Sequence, residues 1–233
     1  MINSVRNTVL AVINKNNYGY ISPSDFNLFA KQAQLDLFEK YFQKYNNQIN
    51  KENGRMSGTG LAHISKQYEE VISTFSTSAT LTQVAANKYT LPADYYLLDV
   101  IQYNVTGAEI EPIAESKLRY MSSTLMSPTS AFPLYVQRGE DIDIYPTTII
   151  GANDVSAYYI RMPRDPKWTY VTLSGGEPLF NQSAADYQDF ELPLSDEPEL
   201  VNLILQYAGI SVREGDVYTF SDREEQKEDA SEQ

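Results

Sequence analysis

A calcium-like pattern runs from Asn14 to Asp25, in the stretch NKNNYGYISPSD. An EF-hand loop needs oxygen ligands at alternating positions, a glycine at its sixth position and a bidentate glutamate at its twelfth. Asn14, Asn16, Ser22 and Asp25 fall on ligand positions, and Gly19 falls on the sixth. Only Asp25 is a carboxylate, so the stretch lacks most of the negative charge that binds calcium.

The same stretch is better explained as the start of a helix. Ser22 can act as the N-cap, Pro23 takes the first helical position, and Asp25 lies three residues after the cap, as in a capping box. Gly19 permits a turn with positive φ. We therefore predict a capped helix that begins at Pro23, and no calcium site.

A second candidate for chemistry is the pair of carboxylates in Asp141-Ile142-Asp143. Alternate residues of a strand point to the same face, so the two carboxylates lie together. Such a pair can bind a metal or act as acid and base in glycoside hydrolysis, and Asp143→Asn would test that. Alternating acidic residues are also typical of the solvent face of a hairpin, which is the interpretation we favour.

Other catalytic groups are scarce. The chain has no cysteine, and its single histidine, His63, lies in a predicted helix where packing or surface exposure is the usual role. Ser174-Gly175-Gly176 is a turn rather than a phosphate cradle, because no Lys-Ser/Thr follows at the required spacing. We expect a protein that is not an enzyme, with no catalytic residue, no metal and no cofactor.

The charge balance limits the partners. Lys and Arg number 18 and Asp and Glu number 31, which gives a formal net charge of -13. Specific DNA-binding proteins usually present a basic patch, so we expect neither specific DNA binding nor attraction to an anionic membrane. No apolar stretch is long enough to span a membrane, and the first residues do not form a targeting signal. The 18 tyrosines favour protein interfaces.

Apolar residues at helical spacing predict three helices before the chain changes character. They begin near Ile2, Pro23 and Leu61, and the third carries apolar residues as far as Phe75. A fourth helix, capped by Ser195, is predicted near the end of the chain. The apolar positions of the first helix are Ile2, Val5, Val9 and Val12.

The helix from Pro23 to about Tyr45 has two apolar rows. A helix with one apolar stripe lies on a surface, whereas one with two is covered from two sides. This helix is therefore either central to its own domain or packed against a neighbouring subunit. One row is Phe26, Ala30, Ala33, Leu37, Tyr41 and Tyr45, and the other is Leu28, Leu35, Phe38 and Phe42.

From about Lys88 the pattern changes to that of strands. A hairpin is predicted around Arg138–Asp141, and a short helix is possible at Glu115–Ser123. The predicted strands are Tyr95–Tyr103, Leu134–Val136, Ile142–Tyr145, Val155–Met162 and Tyr170–Leu173.

The order of elements predicts an α+β fold. Residues 1–84 form an N-terminal helical bundle with a long central helix, and residues 85–194 form an antiparallel β region. Residues 195–220 form a C-terminal helix and extension that packs on the helical region. Residues 221–233 are charged and poor in apolar residues, which predicts a disordered acidic tail.

Four stretches occur in an order that resembles a known family. The first is Gly19–Asn27, continuing to Ala33-Gln34 and Phe38; the others are Leu91–Tyr95, Asp143–Pro146 and Ala157–Pro163. Together they resemble the head-to-tail connector proteins of tailed bacteriophages. They are most similar to the ring or adaptor proteins of crAss-like phages, and more distantly similar to tail tubular proteins. The resemblance covers about Tyr18–Trp168.

The resemblance implies a structural protein of the virion without enzymatic activity. Such proteins are made in the host cytoplasm and form a closed ring of identical copies, typically a dodecamer, at the portal vertex. The ring binds the portal protein and further ring or tail proteins, and DNA passes through it during ejection without specific binding. A ring needs two different faces on each copy, which the two-faced helix can supply.

Candidate interface residues follow from these patterns. Deleting the hairpin tip is expected to spare folding and to block assembly. Trp168 is either a local anchor or an interface hot spot. The candidates are Phe26, Leu35, Phe38, Phe42, Arg138, Gly139, Glu140, Asp141 and Trp168.

A different class of function stays open. A β-rich tail or receptor-binding protein of a phage particle would use the tyrosines on carbohydrate. Receptor-binding proteins are usually trimers, so the number of copies distinguishes the two possibilities.

Overall fold

The computed structural model describes residues 1–14, 20–55, 69–122 and 127–212. These residues form helices and a large mixed sheet, so the α+β class is confirmed. The predictions for His63, the greater part of the third helix, Gly19 and the acidic tail lie outside the described residues.

The chain divides into two compact units. The helical unit consists of Met1–Val71 together with Pro163–Gln233, and the sheet unit is Ile72–Met162. The helices with both ends described are α1 (Ile2–Ile13), α2 (Pro23–Arg55), α3 (Glu115–Leu118) and α4 (Glu197–Val212), with 3-10 turns at Arg119–Ser122 and Leu194–Asp196. Residues 69–73 are the described end of a further helix.

The strands are distributed over both units. In the sheet unit they are β1 (Ser76–Thr80), β2 (Thr82–Ala85), β3 (Lys88–Thr90), β4 (Tyr95–Tyr103), β5 (Ala108–Pro112), β6 (Leu134–Arg138), β7 (Asp141–Tyr145) and β8 (Val155–Arg161). The helical unit contributes a separate hairpin of β9 (Tyr170–Thr172) and β10 (Pro178–Phe180).

Helix α2 begins with the predicted Ser22 cap, but the carboxylate of Asp25 accepts from the Ser22 hydroxyl and not from the Ser22 amide of a full capping box. The Asp25 amide donates to the Ser22 hydroxyl over 3.2 Å, and that hydroxyl donates to the Asp25 carboxylate over 2.6 Å. The cap satisfies one of the amides that every helix leaves unpaired at its start. Ser22, Pro23 and Asp25 of the calcium-like stretch therefore form the start of a helix.

The helical unit is built from α1, α2 and α4, with α4 in contact with both of the others. The buried row of α1 is Ile2, Val5, Val9 and Ile13, whereas Val12 is exposed. A step of four from Val9 keeps the row on one face, which is why Ile13 is buried instead of the predicted Val12. Ser195 does not cap α4: it lies in the preceding 3-10 turn, and its hydroxyl donates to Asp196.

The sheet unit holds eight strands in the order β1-β8-β4-β5-β6-β7-β3-β2. All pairs are antiparallel except β5 with β6, which are parallel. A parallel pair needs a crossover connection, and the segment with α3 supplies it. The β region is therefore mixed rather than wholly antiparallel.

Strands β1 and β2 lie at opposite ends of this order, yet only Leu81 separates them in the chain. The chain thus passes directly from one end of the sheet to the other at Leu81, as at the corners of sheets where a bent strand continues into a second layer. Leu81 is 1% exposed, and its amide donates to the Val155 carbonyl over 2.9 Å. Residues Ser76–Thr80, which were expected to belong to the helical bundle of residues 1–84, form β1 instead, so the sheet begins before residue 85.

The core of the sheet unit lies on the inner face of these strands. In β7, Ile142 and Ile144 are fully buried while Asp141 and Asp143 are partly exposed, which is the predicted alternation. The core residues are Leu81, Tyr89, Leu91, Ile101, Ile110, Tyr135, Ile142, Ile144, Ile149, Val155, Ala157 and Tyr159.

Leu81→Ala is expected to lower the free energy of unfolding by about 2–5 kcal/mol, because it leaves a cavity where the two ends of the sheet meet. Chemical denaturation followed by circular dichroism measures the change. Val84→Ala, at a position 61% exposed on the neighbouring strand, is the control and should shift stability by no more than about 0.5 kcal/mol. Equal effects of the two substitutions would contradict this account of Leu81.

Candidate interaction surfaces

The β6–β7 hairpin presents the predicted tip residues to solvent. Arg138 pairs with Asp141 across the strands, and Gly139 and Glu140 form the turn. Gly139 has φ 68°, a left-handed conformation that glycine adopts without strain. The carbonyl of Glu140 accepts a hydrogen bond from the Leu91 amide, so the tip is tied to the chain ahead of β4.

Asp141 and Asp143 of this hairpin each form an ion pair. The Arg138 guanidinium contacts Asp143 at 2.7 Å and Glu115 at 2.8 Å. Asp141 contacts the Lys88 ammonium at 2.7 Å and accepts a hydrogen bond from the Thr90 hydroxyl. The bonds from Lys88 and Thr90 lower the pKa of Asp141, and the bond to Asp141 raises the pKa of Lys88.

These partners determine what the carboxylate pair can do. General acid catalysis by a carboxyl group requires a raised pKa, and the shift at Asp141 has the opposite sign. The two carboxylates are better described as parts of an exposed network of opposite charges. Such a network suits a contact that depends on charge and weakens with salt.

The predicted interface residues of α2 fall into two groups. Phe26 and Phe38 are buried within the helical unit, at 1% and 2% exposure, whereas Leu35 and Phe42 are half-buried. Phe42 packs edge-on against Phe38 with 4.9 Å between ring centroids. Leu28, which the sequence placed in the second apolar row, is 64% exposed.

Trp168 is the centre of a cluster within the helical unit, and it is 2% exposed. Its indole N–H donates to the Asn3 side chain over 3.0 Å, and the Arg6 guanidinium lies 3.8 Å from the ring centroid. Tyr170 and Phe180 stack with it at 5.6 and 5.8 Å between centroids. The local-anchor interpretation describes this placement; a role for Trp168 in an interface stays a prediction.

A polar groove of about 390 Å³ lies between α2 and α4. Lys40 on one wall pairs with Glu199 at 2.8 Å, and the Tyr207 hydroxyl donates to Asp36. The groove walls are thus already joined by paired polar groups, and they offer no set of groups that converges on a ligand.

Two of the stretches that carry the family resemblance meet in the sheet unit. The Tyr159 hydroxyl donates to the Asp94 carboxylate over 2.9 Å, and the Met162 amide donates to the Asp94 carbonyl over 2.7 Å. Burial, together with the hydrogen bond to Asp94, raises the pKa of Tyr159 to about 12. Sequence reasoning identified these stretches but not the contact between them.

Among the described residues, no group of three or more His, Asp or Glu side chains is arranged to hold a metal ion. No helix in the described ranges is both long and apolar enough to cross a membrane.

No protein-family model matches the chain, and no curated protein is significantly similar to it.

Tyr159 should titrate near pH 12, about two units above an ordinary tyrosine. Because the folded state favours the neutral phenol, its stabilising effect is complete below about pH 10 and is lost as the pH rises from about 10 to 12. Absorbance titration of the wild type and of Tyr159→Phe measures the difference between them. A difference spectrum that titrates near pH 10 would contradict the buried hydrogen bond to Asp94.

Proposed function

We propose that this chain is a structural protein of a bacteriophage virion: a head-to-tail connector, or adaptor, that forms a ring below the portal at one vertex of the capsid. The ring joins the capsid to the tail and extends the channel through which DNA passes. A closed ring of about twelve copies is the proposed assembly, with portal and further tail or ring proteins as partners. No catalytic residue or cofactor takes part.

The proposal is supported by the hydrogen bonds of polar residues in the stretches that resemble connector proteins. Gln34, 1% exposed, donates to the Arg164 carbonyl over 2.7 Å and accepts from the Glu191 amide over 3.0 Å. Asn27 makes the same two-way contact with the backbone of Trp168. Asp94 holds the end of β8 in the sheet unit. These residues therefore fix chain segments that are distant in sequence, as expected of positions that define a fold.

The net charge of -13 is consistent with a channel. A protein that bound DNA phosphates would release counterions and retain the DNA, whereas an acidic wall allows the duplex to slide. The same proposal includes a finer architecture. The helical bundle packs around the ring, and the β region faces the next component.

The β6–β7 tip is the proposed contact with that next component. Because the Glu140 carbonyl and Asp141 are bound within the sheet unit, deleting Arg138–Asp141 would remove internal contacts as well as the tip. A substitution of the exposed Glu140 side chain is a cleaner test than the deletion.

The first test is the native mass of the chain alone and after mixing with the portal protein of the same phage, measured by native mass spectrometry. A closed ring of about twelve copies that appears on the portal is the expected result, since a heterologous contact that closes gives a ring. A stable trimer that ignores the portal would contradict the proposal and favour a receptor-binding protein.

Glu140→Lys should leave folding intact and slow attachment of the next component by roughly tenfold at low salt, because it reverses a charge at the rim of the contact. Glu109→Lys makes the same charge change on the exposed face of β5 and is the control. Attachment is measured by light scattering at two salt concentrations. Identical rates for the two variants would show that the tip takes no part.

A further inference from the structure

The β9–β10 hairpin carries apolar side chains that the helical unit does not cover. Tyr170 and Leu173 are 47% exposed, Val171 is 52% exposed and Leu179 is 56% exposed. Between Tyr170 and Phe180 the only charged residue is Glu177, in a chain of net charge -13. A strand at the edge of a hairpin presents unpaired backbone groups to which another strand can bind.

The backbone pairing shows which groups of β9 are free. The Leu173 amide donates to Glu177, and the Asn181 amide donates to Thr169. Antiparallel pairs alternate with a period of two, so Val171 and Leu179 are the bonded pair between these. The N–H and C=O groups of Tyr170 and Thr172 therefore point away from β10, and they have no partner among the described residues.

The outer edge of β10 is different. Pro178 is opposite Thr172, so its nitrogen faces outward, and proline has no N–H to donate. A proline at such a position is a common means of blocking an edge strand. The hairpin thus has one open edge, on β9, and one interrupted edge, on β10.

We propose that β9 is a self-association edge, through which two copies of this chain pair about a two-fold axis at Val171. Tyr170 of each copy then lies opposite Thr172 of the other, and the four outward groups of each copy form four backbone hydrogen bonds in total. The result is a four-stranded antiparallel sheet in the order β10-β9-β9-β10. Its outer edges both carry Pro178, so the assembly stops at two copies.

The apolar side chains of the hairpin favour a second copy as the occupant, and the absence of charge on β9 permits its approach. Val171, Leu173 and Leu179 share one face of the hairpin, and the two-fold axis joins their exposed surfaces into one apolar row. Two chains of charge -13 repel each other, and an uncharged strand is the place where close approach adds least to that repulsion.

This pairing goes beyond the proposed function and does not depend on it. A cyclic ring joins its copies head to tail, so the two-fold dimer is a state of the protein before ring assembly. The two proposals are tested by separate measurements, because pairing is measured without the portal protein and ring formation is measured with it.

Single cysteines test the axis directly, because the chain has no cysteine of its own. In the proposed pair the two Val171 positions are a non-bonded pair with Cα atoms about 4.5 Å apart, within the range for a disulfide. The two Leu179 positions are three strand spacings apart, about 14 Å, which is too far. Full-length Val171→Cys should form a covalent dimer on mild oxidation, while Leu179→Cys should pair like the wild type without forming a covalent dimer.

Sedimentation velocity over a concentration series supplies the second measurement. Thr172→Pro removes an outward N–H that the hairpin does not use, and it should raise the dimer dissociation constant about tenfold or more, whereas Thr172→Val should leave it near the wild-type value. Emission of Trp168, which stacks on the hairpin, checks that the fold is kept. Equal crosslinking of the two cysteine variants, or a wild type that stays monomeric, would overturn the proposal.

Discussion

The helical unit depends on the enclosure of Trp168. The backbone of this residue makes a two-way hydrogen bond with Asn27 on α2, and its indole reaches Asn3 on α1. Removing a buried tryptophan side chain typically costs about 3–5 kcal/mol. The contact also determines topology, because it attaches the chain that returns after the sheet to the first two helices.

The charged side chain of Arg6 in the helical unit packs against the indole ring of Trp168. Arg6 is 6% exposed, and its Nε has no hydrogen-bond partner among the described residues. Burial lowers the pKa of its guanidinium, and the Trp168 face below it returns part of the lost hydration energy through a cation–π contact. Asp189 completes the start of α1: burial would raise its pKa, but hydrogen bonds from the Met1 amino group, Ile2 and Phe190 lower it.

The sheet unit depends on a different constraint, the closure of its strand order through Leu81. Because β1 and β2 are consecutive in the chain, the strands between them must curl to bring the two ends together. The parallel pair β5–β6 fits this arrangement, since the crossover with α3 moves the chain across without a hairpin. The unit then presents polar side chains outward, as in the exposed ion pairs of the β6–β7 tip.

The sequence predicts local structure correctly where the contacts responsible for it lie within a few residues of one another. The helix cap at Ser22, the glycine turn of the β6–β7 hairpin and the alternation of Ile142 and Ile144 with aspartates all follow from neighbours in sequence. The row of α1 was displaced by one residue at its end, because Val12 and Ile13 are both apolar and only packing against α4 selects between them.

The α+β class, the start of α2, the hairpin tip and the acidic character all follow from the amino-acid sequence alone. The sequence did not determine the strand order, the parallel pair or the exposure of β9, since these depend on contacts between residues far apart in the chain. The Ser/Thr-rich stretch of β1 shows the reason: its residues have no strong preference of their own, and pairing with β8 makes them a strand. For Trp168, likewise, the sequence favoured a local anchor and left a hot spot as the alternative, and only its contacts with Asn3, Arg6 and Asn27 show how it is packed.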